Sequence, residues 1–395
     1  MPKKYDRFIH AAMLILMTLG TLMIVSTSVG KVYSSDTIVI KTLVKQLGFS
    51  IFAYLIMIQF ANHFTVSKAS KVIKPLGYLL VLAMFMCLAF PAVGGGRCWI
   101  RFSIPFIGEM TIQPSEFAKT FMIVIMACVI EKVKKKRMDF WEIIKIPFIF
   151  YLVLLLAIVL QNDLGSLIVL SLVCAVCLLL PTHPSLKKIQ KYLLIALLVG
   201  SIIVVILASN PGIAFLEALD ILPSYMLGRF KTAADPWFDP TGDGYQLIQS
   251  LYAFASGGLN GLGLGGSIQK LEYLPEAETD YILSITVEEL GILGFGLILI
   301  GYFVIIWRLI LHALDSEKEG HKIIYIGTAL YLFIHFTFNV GGVCGLIPLT
   351  GIPLLFISSG SSSLWSICIA IGICQAIAAE EKRTKLKEET TEKQV

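Results

Sequence analysis

Apolar runs of about twenty residues recur along almost the whole of this 395-residue chain, and no other feature constrains its fold as strongly. A membrane-spanning helix needs about 20 consecutive apolar residues, and only helices and closed barrels satisfy their own backbone in lipid. Barrel strands alternate in polarity over about ten residues. These runs are unbroken, so helices are the solution. Ten spans are expected, at about 9–28, 42–62, 73–92, 113–131, 142–160, 164–181, 192–209, 281–311, 322–345 and 354–379. Composition agrees: 56% of residues are hydrophobic and only 15% are charged, against about 25% charged in a soluble domain. There is too little polar side chain to coat a soluble protein, and too much apolar content for a disordered chain. The fold class is all-α, a polytopic membrane protein whose single transmembrane domain covers 1–379.

The formal net charge of +5 does not indicate a nucleic-acid partner. The basic residues stand in short clusters between apolar runs, as orientation signals do. Ten spans put both termini on one side, and that side carries 22 Lys and Arg against 7 opposite. The asymmetry predicts a multi-pass protein of the cell membrane with both termini in the cytoplasm. Residues 210–280 form an outer loop far longer than an ordinary connection. Its aromatic residues, among them Phe230, Trp237, Tyr245, Tyr252 and Tyr273, suit it to fold on the membrane surface. The charged tail 380–395 is expected to be disordered. The eight cysteines form no disulfide framework; Cys174 and Cys177 stand within an apolar run and read as packing. The basic N-terminal start leads into a run too long for a signal peptide, so it reads as an uncleaved span.

Ionisable residues at membrane depth are functional candidates by default. Glu116 and Lys119 share one face of span 4. Either they form an ion pair that orients the helix, or a cationic Lys119, held by Glu116, faces an anionic ligand. Asp280, Ser284 and Glu288 fall on one face if span 8 begins near Asp280, reaching inward from the outer boundary. A partly desolvated carboxylate there has a pKa suited to a general base. Asp163, followed by Leu-Gly in a tight outer hairpin, reads as turn chemistry or as a substrate contact. Arg97 and Arg101 flank Trp99, either as an interfacial belt or as phosphate contacts. The glycine-rich run 256–267 contains G-x-G-x-x-G but no βαβ unit, so it reads as close backbone packing and not as a dinucleotide site. The six histidines show no metal-ligand spacing.

Several stretches together resemble the SEDS family, the FtsW/RodA/SpoVE proteins of shape, elongation, division and sporulation. They are Trp99-Ile100, QPSEFAK (113–119), QNDLGS (161–166), the segment 235–282, EELGILG (288–294) and the segment 339–363. The segments YQLIQSLYA and QKLEYLPEAETD look more like the FtsW/SpoVE branch. The resemblance implies a peptidoglycan glycosyltransferase that polymerises lipid II on the outer leaflet with inversion at the donor sugar. It implies a class B penicillin-binding protein as partner. It also implies Asp280, at the Asp of the family's T-D-F/Y motif, as the essential acidic residue, with the role of general base on the acceptor hydroxyl. Lys119, Glu116, Arg97, Arg101, Trp99, Asp163, Glu288, Lys270 and Ser284 are then candidate contacts to substrate and its pyrophosphate, with a divalent cation (Mg or Mn) as a candidate helper. The chain departs from the family pattern at Cys98, where Arg usually precedes the Trp. Asn162 stands in place of Pro, Glu278 in place of His, and ISSGSSS in place of S-Y-G-G-S-S. Two other readings stand beside the polymerase: a lipid II translocase, which wants ionisable groups at the midplane, and a non-catalytic scaffold for the penicillin-binding protein.

Overall fold

The computed structural model describes residues 5–31, 37–93, 95–104, 108–133, 138–220 and 224–392. Lys3, Lys4, Lys393 and the basic run 134–137, all part of the charge count, lie outside the described residues.

Ten long apolar helices stand where the apolar runs place them. They are α1 (Arg7–Val29), α2 (Ile38–His63), α3 (Val66–Met86), α4 (Pro114–Val133), α5 (Phe140–Leu160), α6 (Leu164–Leu179) and α7 (Lys187–Leu207), then α11 (Ile282–Asp315), α12 (Glu319–Val343) and α13 (Ser361–Glu392). Eight have the length and apolarity to cross a membrane. The other two are α6, only 16 residues long, and α4, which carries Glu116, Lys119, Glu131 and Lys132. The protein is an all-α multi-pass membrane protein. Helix α13 is its axis, almost wholly buried along its apolar stretch, and it packs closely on α2, where Gly372 meets the Met57 carbonyl. By contrast α7 buries none of its residues.

At the N-terminal side, Asp6 caps α1 by accepting hydrogen bonds from the Phe8 and Ile9 amides. It also pairs with Arg308 at 2.5 Å and His312 at 2.9 Å on α11, and its backbone exchanges two hydrogen bonds with Gln375 of α13. Burial alone would raise the Asp6 carboxyl, but the His312 and Arg308 hydrogen bonds outweigh it and hold it far below the usual range.

Three expectations need correction. The tail is not disordered over its described part: α13 continues as helix to Glu392. Its exposed end is rich in Glu, Lys and Arg, all good helix formers, and grows from an already formed helix, so no new nucleus is needed. Span 10 starts at Ser361, seven residues later than its apolar run, because 354–360 is irregular. The connection from α3 to α4 holds an antiparallel hairpin, β1 (Ile100–Ile104) with β2 (Gly108–Ile112), which the sequence reading lacks.

The outer loop folds into α8 (Asn210–Leu219), α9 (Ser224–Ala234) and α10 (Tyr245–Gly257). Its glycine-rich end locks into a break in α11. Gly291 there has φ 67° and interrupts the helix. The freed carbonyls of Glu288 and Glu289 accept from the Leu262 and Gly263 amides, while the Ile292 amide donates to Gly258. The fit admits no side chain: a Cβ on Gly291 would lie 2.2 Å from the Leu259 carbonyl oxygen, and one on Gly261 2.1 Å from that of Glu289. This is the close backbone packing that the glycine run suggests. Gly291→Ala puts a side chain on a backbone conformation open almost only to glycine (φ 67°, ψ −168°), a strain of about 1–3 kcal/mol on top of that clash, so it should lower stability by more than this amount, measured as the thermal unfolding midpoint in detergent.

Candidate functional site

Asp280 lies two residues before α11, not on it. Its backbone is clamped: the Asn339 side-chain amide donates to the Asp280 carbonyl at 2.9 Å and to the Ile352 carbonyl at 3.1 Å. Neighbouring residues are fastened too, with the Ser358 hydroxyl donating to the Thr279 carbonyl and the Ser359 amide to that of Glu278. The Asp280 carboxylate itself makes no hydrogen bond or ion pair with the described residues. Burial pushes it up to about 6; Glu276 nearby adds to the rise, and Arg229 on α9 opposes it.

The irregular stretch between α12 and α13 runs past this carboxylate. A Cβ on Gly351 would sit 3.7 Å from Asp280 Oδ2. One residue earlier, the Thr350 carbonyl packs on Gly165, beside Asp163. Two residues later, the Pro353 carbonyl accepts from His335 Nδ1 at 3.0 Å. With its proton on Nδ1, His335 offers Nε2 as acceptor to the Lys119 ammonium, 3.2 Å away. Lys119 also pairs with Glu116 at 2.6 Å, and Glu116 accepts from the Tyr331 hydroxyl at 2.9 Å. Residues 350–353 thus join Asp280 to a second polar cluster.

Several candidates take up internal duties. Glu116 and Lys119 are almost fully buried, so they form the ion pair and Lys119 does not face an open site. Asp163 caps α6 through the Ser166 amide and accepts from Gln113 and Ser115 at the start of α4. Ser284 bonds the Ser250 hydroxyl of α10. Glu288 gathers the Ser267 hydroxyl and the Ile268 and Gln269 amides. The expected shared face of Asp280, Ser284 and Glu288 is therefore not formed: the helix begins after Asp280, and the other two hold the outer loop. Lys270 is buried as well, paired with Glu289 at 2.7 Å and with Ser26 of α1 at 3.2 Å.

The hairpin residues remain nearer the surface. Arg97 is exposed and donates to the Leu88 carbonyl. Trp99 and Arg101 are half-buried, and Arg101 Nε is a buried donor with no partner among the described residues. No group of three or more His, Cys, Asp and Glu among the described residues is placed to hold a metal ion.

The cell cycle protein family FTSW_RODA_SPOVE matches residues 6–383. The chain belongs to this family. It is 32% identical to a probable peptidoglycan glycosyltransferase FtsW of Lactococcus lactis, over 95% of this chain and 92% of that protein. It is 33% identical to the stage V sporulation protein E of Bacillus subtilis, over 91% and 93%. A chain of a structure described as coordinating polymerization and crosslinking in a peptidoglycan synthase complex shares the fold, with a TM-score of 0.68 at 22% identity over 96% and 98% of the two chains. Thermus thermophilus RodA does so with a TM-score of 0.63 at 19% identity over 95% and 97%.

One departure of this FtsW/RodA/SpoVE protein from the usual pattern has a direct structural correlate. Asn162 has φ 59°, which asparagine tolerates and proline cannot adopt. Sequence reading also misses Asn339, Arg229, Glu289 and Ser26. Only Glu289 carries a visible signal, as an acid within an apolar run. Lys270→Met should strand the buried Glu289 carboxylate and cost about 3–5 kcal/mol, read by thermal unfolding. The double variant Lys270→Met/Glu289→Leu should recover most of that loss.

Proposed function

We propose that this protein is a peptidoglycan glycosyltransferase that polymerises lipid II, with Asp280 as its general base. The observation that carries the reading is the Asp280 carboxylate, held in place through its backbone and without a hydrogen bond or ion pair among the described residues; burial raises it to about 6. A base near that value is half-ionised just below neutral pH and retains enough basicity to accept a proton. Asp280 takes the proton from the 4-hydroxyl of the acceptor GlcNAc. That oxygen attacks the anomeric carbon of the donor MurNAc from the face opposite its leaving group. Undecaprenyl pyrophosphate departs, and the α-linked donor becomes a β-1,4 linkage. The developing negative charge needs fixed donors. Arg229, close enough to act on Asp280, and Arg101, with its unpartnered Nε–H, are the cations of this chain that suit the pyrophosphate.

The buried groups support the polymerase over a translocase. Glu116 with Lys119 and Glu289 with Lys270 neutralise one another at depth, whereas a transport path needs ionisable groups open to cargo. The excess of basic residues on the N-terminal side supports a cytoplasmic location for both termini. The chain's likeness to a structure described as coordinating polymerization and crosslinking supports a crosslinking partner, a class B penicillin-binding protein.

The test uses the full chain in detergent with that partner and fluorescent lipid II. Asp280→Asn should reduce glycan ladders at least about 100-fold; retained activity refutes the base assignment. Ladder formation by the wild type should fall as pH drops through about 6, because the base is lost on protonation. The fold should respond in the opposite sense. The raised carboxyl favours the folded state below its unfolded pKa of about 3.9, and that contribution is lost as pH rises through about 6. Asp280→Asn should therefore be at least as heat-stable as the wild type at pH 7.

A further inference from the structure

A groove of about 450 Å³ lies between α2, α3, α4 and α13, and neither Asp280 nor Asn339 lines it. Its wall is nearly all apolar, including Val72, Leu76, Leu80, Phe121 and Ile369. Its one ammonium group and its histidine stand at one end, where α2 gives way to α3: Lys68 and His63, with Thr65 between them; the other polar lining residues, Gln59 and Thr120, are uncharged. That end lies on the N-terminal side of the membrane, opposite the outer loop. A second hollow of about 330 Å³ adjoins it across Phe64 and Thr65, and Arg383 and Lys387 of the α13 extension line it. Its acid, Glu380, is paired with Lys318 at 2.9 Å. Lys68, Arg383 and Lys387 form no ion pair with the described residues. The first turn of α3 also presents its amide groups here, one of them capped by Thr65.

The shape and charge match an amphiphile with one anionic end. From Lys68 to Leu80 the groove runs about 18 Å at 1.5 Å per residue, close to half of a hydrocarbon core of about 30 Å. That is the depth filled by the acyl chains of a single leaflet. Cations at the mouth select a negative headgroup. We infer that this groove binds an anionic phospholipid of the cytoplasmic leaflet, with an acyl chain along α3 and its phosphate among Lys68, Arg383 and Lys387. The inference rests on the inward placement of the termini, not on the chemistry at Asp280. The bound chain lies against Phe117, Thr120 and Phe121, on the same helix that holds Glu116 and Lys119.

Native mass spectrometry of the purified full-length protein tests this, with phosphatidylglycerol and phosphatidylcholine added at equal concentration. The wild type should retain one phosphatidylglycerol at least tenfold more than phosphatidylcholine. Lys68→Glu/Arg383→Glu should abolish that preference. Val72→Trp should remove retention of both lipids; Val72 is 57% exposed, so the fold accepts the larger ring. Equal retention of the two lipids by wild type, or retention unaltered in both variants, overturns the proposal. Displacement of phosphatidylglycerol by equimolar undecaprenyl phosphate assigns the groove to the substrate's polyprenyl chain and also overturns it. The readout is bound lipid mass, so it fails or succeeds independently of glycan synthesis.

Discussion

Lipid offers the peptide backbone no hydrogen-bond partner, so each irregular stretch at membrane depth must be satisfied by protein. The same demand holds for irregular backbone buried among apolar helices, and two stretches of that kind shape this molecule. The break at Gly291 is answered by the glycine-rich loop, which exchanges hydrogen bonds with the severed helix in both directions. The stretch between α12 and α13 is answered by side chains: Asn339 takes Ile352, His335 takes Pro353, and the Tyr302 hydroxyl takes Leu355. The same stretch forms the wall beside Asp280. The geometry of the candidate site thus follows from the need to satisfy a non-helical chain packed among buried helices.

The charges follow a related logic. Each acid fully buried within the bundle has collected partners. Glu288 has hydroxyl and amide donors, Glu289 has Lys270, and Glu116 has Lys119 and Tyr331. These interactions bind distant parts of the chain, since Ser26 and Glu289 are separated by 263 positions. Asp280 stands apart because its carboxylate is not used to build anything. Acids that lie only a few residues apart are thus used differently.

What the sequence discloses follows the range of the interactions involved. The ten helices are legible because each run of apolar residues reports its own burial. The Glu116–Lys119 pair is legible because its partners are one helical turn apart. Lys270 and Glu288 look like open site groups because their partners, Glu289 and the loop amides, are brought to them by the glycine lock. The break at Gly291 is hidden because apolar residues continue on both sides of it. Asn339 is invisible as a clamp because both carbonyls that it holds come from other segments. The hairpin escapes notice because five-residue strands leave too short an alternation to separate from loop.

Helix α7 has a consequence for the site although it touches none of it. None of its residues is buried, and its described hydrogen bonds to the bundle lie at its first turn, where Gln190 donates to the Leu178 and Pro181 carbonyls. It leads directly into α8 and α9, and α9 carries Arg229 toward Asp280. The cation that opposes the rise at Asp280 is thus carried on an exposed part of the chain, whereas the backbone of Asp280 itself is anchored to the bundle by Asn339.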